Sequence, residues 1–229
     1  PEKKMKKGFK NKMTKENTDT KNDISSIINA MGEKARFAAQ KLAGMNSFSK
    51  NSILKAMADA IDNEAENLIS ENRKDLKNAS QKGLSNSMID RLSLDEKGVK
   101  AMSDGLRHLI SLEDPVGKVL SSTVRPNGLK IEKVSVPIGV IGIVYESRPN
   151  VTVDSSGLCV KAGNAVILRG GSESIHSNIA LSHCLNRAGL EAGLPDGAIQ
   201  IIPFTERGAV GHMLKMDKYI DLIIPRGGE

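Results

Sequence analysis

Residues 136–171 read VPIGVIGIVYESRPNVTVDSSGLCVKAGNAVILRGG, and the fold is decided there. Positions 136–144 are almost wholly apolar, as in a strand buried on both faces of a parallel sheet. The run breaks at Glu146-Ser147-Arg148-Pro149-Asn150; a helix is expected over about 151–162, and Gly163 stops it. Positions 165–168 form a second short apolar strand, ended by Arg169-Gly170-Gly171.

The theme recurs downstream. A helix over about 172–188 turns Ile175, Ile179 and Leu185 inward, Gly193-Leu194-Pro195-Asp196-Gly197 reverses the chain, and a strand over 199–202 ends in Pro203-Phe204-Thr205. A helix over about 206–215 and a strand over 222–224 follow, the strand ending in Pro225-Arg226-Gly227-Gly228. This βαβαβ order predicts an α/β fold, a Rossmann-type parallel sheet with flanking helices and right-handed crossovers. Ligands of such sheets bind beyond the carboxyl ends of the strands.

Upstream, Arg125-Pro126-Asn127-Gly128 is a turn between strand-like runs near 117–124 and 129–136, which predicts a protruding β-hairpin. Before Asp114-Pro115 the pattern is helical. Ile24, Ile27, Ile28, Met31, Ala35, Ala38 and Leu42 predict an amphipathic helix over 23–43. Ile53, Leu54, Met57, Ala58, Ile61, Ala65, Leu68 and Ile69 share a face in a second helical stretch that runs on to Gln81, with Gly83 as its stop. A third helix is expected over 95–110, with Val99, Met102, Leu106, Leu109 and Ile110 inward. The expected organisation is thus a leader at 1–22, a helical segment at 23–112, a hairpin arm at 117–135 and a βαβαβ core at 136–229.

The 229 residues are 39% hydrophobic and 26% charged, as in a soluble globular protein. No apolar run approaches the ~20 residues of a membrane span, and no apolar stretch follows the N-terminal lysines as in a signal peptide. Cys159 and Cys184 make no disulfide framework and suit a reducing, cytoplasmic compartment. The net charge of +6 suggests nucleic acid, but its distribution does not: residues 1–22 carry eight lysines against Glu2, Glu16 and Asp19, and the remainder is nearly neutral. The leader has one aromatic, Phe9, and is expected to be disordered. Neither a nucleic-acid nor a membrane partner is expected.

The strand ends carry the chemistry. Glycines 170, 171, 227 and 228 let backbone N–H groups approach an anion. Ser172 and Thr205 can cap the helices that follow, whose N-termini attract phosphate. Arg169 and Arg226 add forked donors, and Phe204 can lie against an adenine. Three such loops on one rim suit a phosphate-rich nucleotide. The G-x-G-x-x-G fingerprint is absent, since Gly139 and Gly142 are misspaced and expected within a strand. No acidic residue ends the strand over 199–202, and Arg169 is nearby, which favours a 2′-phosphate and hence NADP(H) over NAD.

The four histidines fall into no metal-binding spacing. Cys159 and Cys184 sit mid-helix, away from any helix N-terminus or base, and read as buried hydrophobes. Asn150, just beyond the central strand, either caps the next helix or donates to an oxyanion; both readings stand on the residues alone.

At these residues the chain resembles the gamma-glutamyl phosphate reductases, also called glutamate-5-semialdehyde dehydrogenases, of the aldehyde dehydrogenase superfamily. The resemblance rests on the run from Val136 to Asp154, on Gly163 to Gly171, Gly193 to Gly197, Met216 to Asp221 and Ile224 to Gly228, and on Asp90-Arg91-Leu92 and Asp114-Pro115-Val116-Gly117. It spans about residues 24–229. It implies an aldehyde-dehydrogenase-like fold and NADPH-dependent reduction of L-glutamyl 5-phosphate to L-glutamate 5-semialdehyde, through a cysteine thioester. It assigns Asn150 to the oxyanion, Arg169 to the adenosine ribose, Pro225 to Gly228 to the pyrophosphate and nicotinamide, and Arg148 to substrate or phosphate. Gly170, Gly171, Ser172, Phe204 and Thr205 complete the expected cofactor rim. The hairpin resembles the superfamily's oligomerisation arm, which implies a homo-oligomer. In this family the nucleophilic cysteine lies in a catalytic domain downstream of the Pro-Arg-Gly-Gly loop. The expectation is therefore a cofactor-binding part, inactive alone. A non-catalytic nucleotide-binding or assembly module, or another aldehyde or acyl-phosphate dehydrogenase, is the alternative.

Overall fold

The computed structural model describes residues 24–227; the lysine-rich leader, Gly228 and Glu229 lie outside the described residues. Helix α1 covers residues 24–43 and buries Ile28, Ala35, Ala38 and Leu42, whereas Ile27 is exposed. Ile27 stands ~100° round the helix from Ile28 and falls outside the buried stripe of α1. The next stretch is two helices rather than one, α2 (Ser47–Asn63) and α3 (Ala65–Gln81). Glu64 leaves helical geometry between them at φ −102°, ψ 14°, and its carboxylate takes the Arg187 guanidinium. Asn46 caps α2 by accepting from the Ser49 N–H at 2.8 Å. Gly83, at φ 69°, follows α3 as expected. A seven-residue helix, α4 (Asn86–Leu92), has no counterpart in the sequence reading, because so few residues carry no readable period. Helix α5 (Glu96–Ser111) is capped by Asp95, which accepts from the Gly98 N–H at 2.7 Å.

Strands β1 (Val119–Val124) and β2 (Lys130–Val134) pair antiparallel as the expected hairpin, exposed along both strands. The main sheet holds β3 (Val140–Tyr145), β4 (Ala165–Arg169), β5 (Ile199–Ile201) and β6 (Leu222–Arg226), all parallel, in the order β5-β4-β3-β6. Central β3 is buried almost throughout. Residues 136–139 do not belong to it: Val136 and Ile138 are 76% and 53% exposed. Gly139 is likewise outside the strand, at φ 124°, where a Cβ would also collide with the Asp221 carboxylate. That carboxylate accepts from the Val140 N–H at 2.8 Å and the Arg36 guanidinium at 2.7 Å, which fixes the start of β3 against the start of β6. Pro225 lies within β6 rather than after it. Among the described residues β6 pairs on one side only, and an edge strand tolerates the missing N–H.

Helices α6 (Asn150–Lys161), α7 (Ile175–Glu191) and α8 (Arg207–Met213) complete the chain. A 3-10 turn at Ser172–Ser174 precedes α7. The expected caps are absent: the Ser172 hydroxyl donates to Glu173, and α8 starts from Glu206 with no side-chain cap. Asp75 of α3 does the work for α7 instead. Its carboxylate accepts from the backbone N–H groups of His176 and Ser177 at 3.2 and 2.8 Å, and from the Ser177 hydroxyl at 2.6 Å. Polar Ser177, Asn178 and Ser182 therefore turn inward beside Leu181 and Leu185, while Ile175 and Ile179 are only half-buried. One apolar core joins the helical segment to both faces of the sheet, from Ile28 through Leu54 and Leu106 to Ile167, Leu185 and Ile220. Among the described residues no helix is long and apolar enough to cross a membrane.

Candidate active site

From β3 the chain builds β4 and β5 on one side, then returns to lay β6 on the other. The topological switch point therefore falls between β3 and β6, the place where such sheets open a crevice. Beyond these two strand ends lies a cleft of about 340 Å³, lined by Met88, Arg91, Glu146, Arg148, Arg226 and Gly227. Of these, Arg148, Arg226 and Gly227 were expected at the rim. Arg91 is added by α4, and only its presence in the Asp90-Arg91-Leu92 run pointed to it. A Cβ on Gly227 would come within 2.8 Å of the Glu146 carboxylate, so a larger residue there would require the Glu146 side chain to shift.

Asn150 opens α6 at the same rim. It is not a cap: that position falls to Pro149, which makes no side-chain bond. The exposed Asn150 amide instead donates to Asp154 at 3.0 Å. Burial raises the Asp154 carboxyl pKa, against the Asn150 hydrogen bond and the Arg226 charge.

The other expected residues gather at the ends of β4 and β5. The Arg169 guanidinium donates to the carbonyls of Gly170 at 2.9 Å and Thr205 at 3.1 Å, which ties the two strand ends together. Its Nε is buried without a partner. Phe204 is half-buried against the core, and Thr205 is exposed. Gly170 has no room for a side chain, because a Cβ would collide with the Asn178 amide. Ser172 is held by Glu173, whose carboxylate stands 2.7 Å from where a Gly171 Cβ would be. An acidic group thus reaches the end of β4, folded back by the 3-10 turn. Pro225 is exposed at the end of β6, and Gly228 lies outside the described residues.

Beneath the rim runs a buried chain of hydrogen bonds that sequence reasoning missed. The Thr152 hydroxyl donates to the Asn178 carbonyl at 3.1 Å. Its single proton is then spent, so the Tyr145 hydroxyl, 2.7 Å away, must donate to Thr152. The Asn178 amide donates in turn to Ser174 at 2.9 Å. Burial pushes the Tyr145 phenol up to about 12, which keeps its proton in place. The end of β3, the start of α6 and the turn after β4 are thereby held in one network.

Neither thiol reaches the rim as a nucleophile. Cys159 and Cys184 are 5% and 2% exposed. Burial pushes each thiol up to about 12, and for Cys184 the Glu64 carboxylate adds to the rise. Among the described residues no histidine, cysteine or carboxylate group forms a metal-binding cluster.

The sheet, its switch-point cleft and its strand-end loops define the class: the chain belongs to the aldehyde dehydrogenase family, whose sequence profile matches residues 9–229. The aldehyde-dehydrogenase-like fold is therefore as expected. Within the family the chain is similar to gamma-glutamyl phosphate reductases. It is 52% identical over 206 residues to that of Moorella thermoacetica, a match covering 90% of this chain and 49% of that protein. The figures are the same for the enzyme of Geobacter metallireducens. The crystal structure of gamma-glutamyl phosphate reductase from Thermotoga maritima matches with a TM-score of 0.85 at 39% identity, over 87% of this chain and 48% of that one. An aldehyde dehydrogenase from Listeria monocytogenes, at 19% identity and a TM-score of 0.69, shares the fold. The chain spans about half the length of the curated relatives it matches.

Proposed function

We propose that this chain is the cofactor-binding part of a cytoplasmic reductase that converts L-glutamyl 5-phosphate and NADPH to L-glutamate 5-semialdehyde, phosphate and NADP, a step of proline biosynthesis. The observation that carries this reading is a rim of strand-end loops around the switch-point cleft, with Asn150 two residues past Arg148, in a chain 52% identical to a gamma-glutamyl phosphate reductase. When bound, NADPH supplies the hydride. The residues present suit it. The Arg169 Nε, unpartnered among the described residues, and the Gly170-Gly171 backbone offer donors to the adenosine half, Phe204 and Thr205 line its side, and Pro225 to Gly227 lie beside the pyrophosphate and nicotinamide, where the cofactor meets the cleft. Ser172 borders the same loop. Arg169 favours the 2′-phosphate, while the Glu173 carboxylate acts against it, so discrimination between NADPH and NADH is set between these two side chains.

In this role the Asn150 Nδ2–H donates to the oxyanion that develops on the substrate's reacting carbonyl oxygen, and Arg148 holds the substrate. Asp154 keeps that amide in place until then. The acyl-transfer thiolate comes from neither Cys159 nor Cys184, whose burial forbids it, so residues 24–227 bind without turning over. The hairpin supplies a surface for homo-oligomer assembly. The same two buried thiols favour, as a second reading, a nucleotide-binding module without catalysis.

The test is a titration of NADPH and NADH into the 229-residue chain, followed by nicotinamide fluorescence, with phosphate-dependent oxidation of glutamate semialdehyde assayed on the same sample. Binding without turnover is expected. Failure of both nucleotides to bind overturns the cofactor reading, and turnover overturns the exclusion of the two thiols.

A further inference from the structure

Arg91, Arg148 and Arg226 reach one cleft from three elements distant in sequence: α4, the loop after β3, and the end of β6. Among the described residues none of the three side chains makes a hydrogen bond or an ion pair. Among the described residues Glu146 is the only carboxylate lining the cleft, against three guanidinium groups. Like charges converging on one volume repel unless an anion lies between them, and the repulsion grows as water is displaced. Guanidinium forks also match the tetrahedral oxygens of a phosphate.

We propose that this cleft is a phosphate subsite with Arg91 as its specificity residue, and that it takes the phosphoryl group of the acyl-phosphate substrate. The proposal rests on the reductase reading above and adds to it the group that α4 contributes. Two sources could supply a phosphate here, the substrate or the cofactor. Position favours the substrate. In the sheet order β5-β4-β3-β6, Arg169 and Thr205 stand on one side of β3 and the cleft opens on the other; there Arg226 and Gly227 border the cofactor's pyrophosphate and nicotinamide, but Met88, Arg91 and Arg148 lie outside the loops given to the cofactor. Arg148, which lines the cleft, stands two residues before Asn150 at the start of α6, so a phosphoryl group held in the cleft would leave the adjoining acyl carbon within reach of that amide. Arg91 would then separate acyl phosphates from uncharged aldehydes, since it meets the part of the substrate that an aldehyde lacks.

The test is binding of inorganic phosphate to the 229-residue chain, read by phosphorus NMR line broadening, with and without saturating NADPH. Arg91→Gln and Arg91→Lys are compared with the unaltered chain, and thermal unfolding is recorded for each. Phosphate is expected to bind in both conditions. Arg91→Gln should weaken it roughly tenfold, the loss of one charge-assisted hydrogen bond, and Arg91→Lys should weaken it less. NADPH affinity should stay within about twofold and thermal unfolding should be unchanged, because Arg91 is exposed. Phosphate binding that is absent, indifferent to Arg91→Gln, or abolished by NADPH would overturn the proposal; the last would give the cleft to the cofactor's phosphates. Loss of NADPH binding with phosphate binding intact would refute the cofactor reading and leave the subsite standing.

Discussion

A thiol reagent separates a cofactor-binding chain from one that carries its own nucleophile. The two cysteines have their thiol pKa moved from 9.0 to about 12, each mainly by burial. At neutral pH a rise of that size lowers the thiolate fraction about a thousandfold. Restricted access adds to the protection. Cys159, on α6, lines an apolar groove of about 590 Å³ but is itself only 5% exposed, which slows a reagent's approach to its sulfur. Cys184 lines a second groove of about 320 Å³ between α3 and α7, beside Arg187 and His183, and is as well protected. The assay is absorbance at neutral pH with an aromatic disulfide reagent, on the folded chain and on the same chain in denaturant. Two thiols per chain should react at once when unfolded, and both should react at least about a thousandfold more slowly when folded. One thiol reacting in the folded chain within about tenfold of the unfolded rate would refute the reasoning. It would restore that cysteine as a candidate nucleophile.

Asn178→Leu keeps the volume but leaves the buried Thr152 proton without an acceptor; a loss of about 2–4 kcal/mol is expected, or a fall of roughly 10 °C in thermal midpoint for a domain of this size. A fall under about 2 °C, seen by circular dichroism, would show that the network is not closed as described. Burial tends to raise the Asp221 carboxyl, but its hydrogen bonds from Arg36 and the Val140 N–H prevail, and the net pKa lies below 3.8. A folded-state value below the unfolded one contributes stability that is full above about pH 4 and is lost as the pH falls through the folded value. Denaturant melts at several pH values should therefore show the chain weakening below pH 4, and Asp221→Asn should weaken it at neutral pH and flatten the acid limb. An unchanged acid limb in that variant would count against the pairing.

Elements set by local pattern were legible in the residues. The hairpin around Asn127-Gly128, the buried central strand and the glycine stops after α3 and α6 each follow from neighbours in sequence. What stayed hidden depends on distant partners. Nothing near Ser172 says that α7 is capped by Asp75, roughly a hundred residues earlier. The break at Glu64 follows from no Gly or Pro. Glu173 sat in plain view, but its approach to the end of β4 needs a 3-10 turn that a helical reading replaced. The loops of the site were legible as loops, because Gly-Gly after a strand is a local signal. Arg91 was not, because α4 reaches the cleft only through the tertiary fold.

The cap on α7 also sets a timetable for synthesis. The acceptor, Asp75, leaves the ribosome with the early helices, and its donors at His176 and Ser177 follow 101 and 102 residues later. At 5–20 residues per second that is a wait of roughly 5–20 s. Throughout it, the Asp75 carboxylate and the parts of α2 and α3 that α7 covers lack their partner. The nascent chain in that interval is a natural client for a chaperone that binds apolar helical surfaces, and shortening the interval by faster translation should lower the dependence on it.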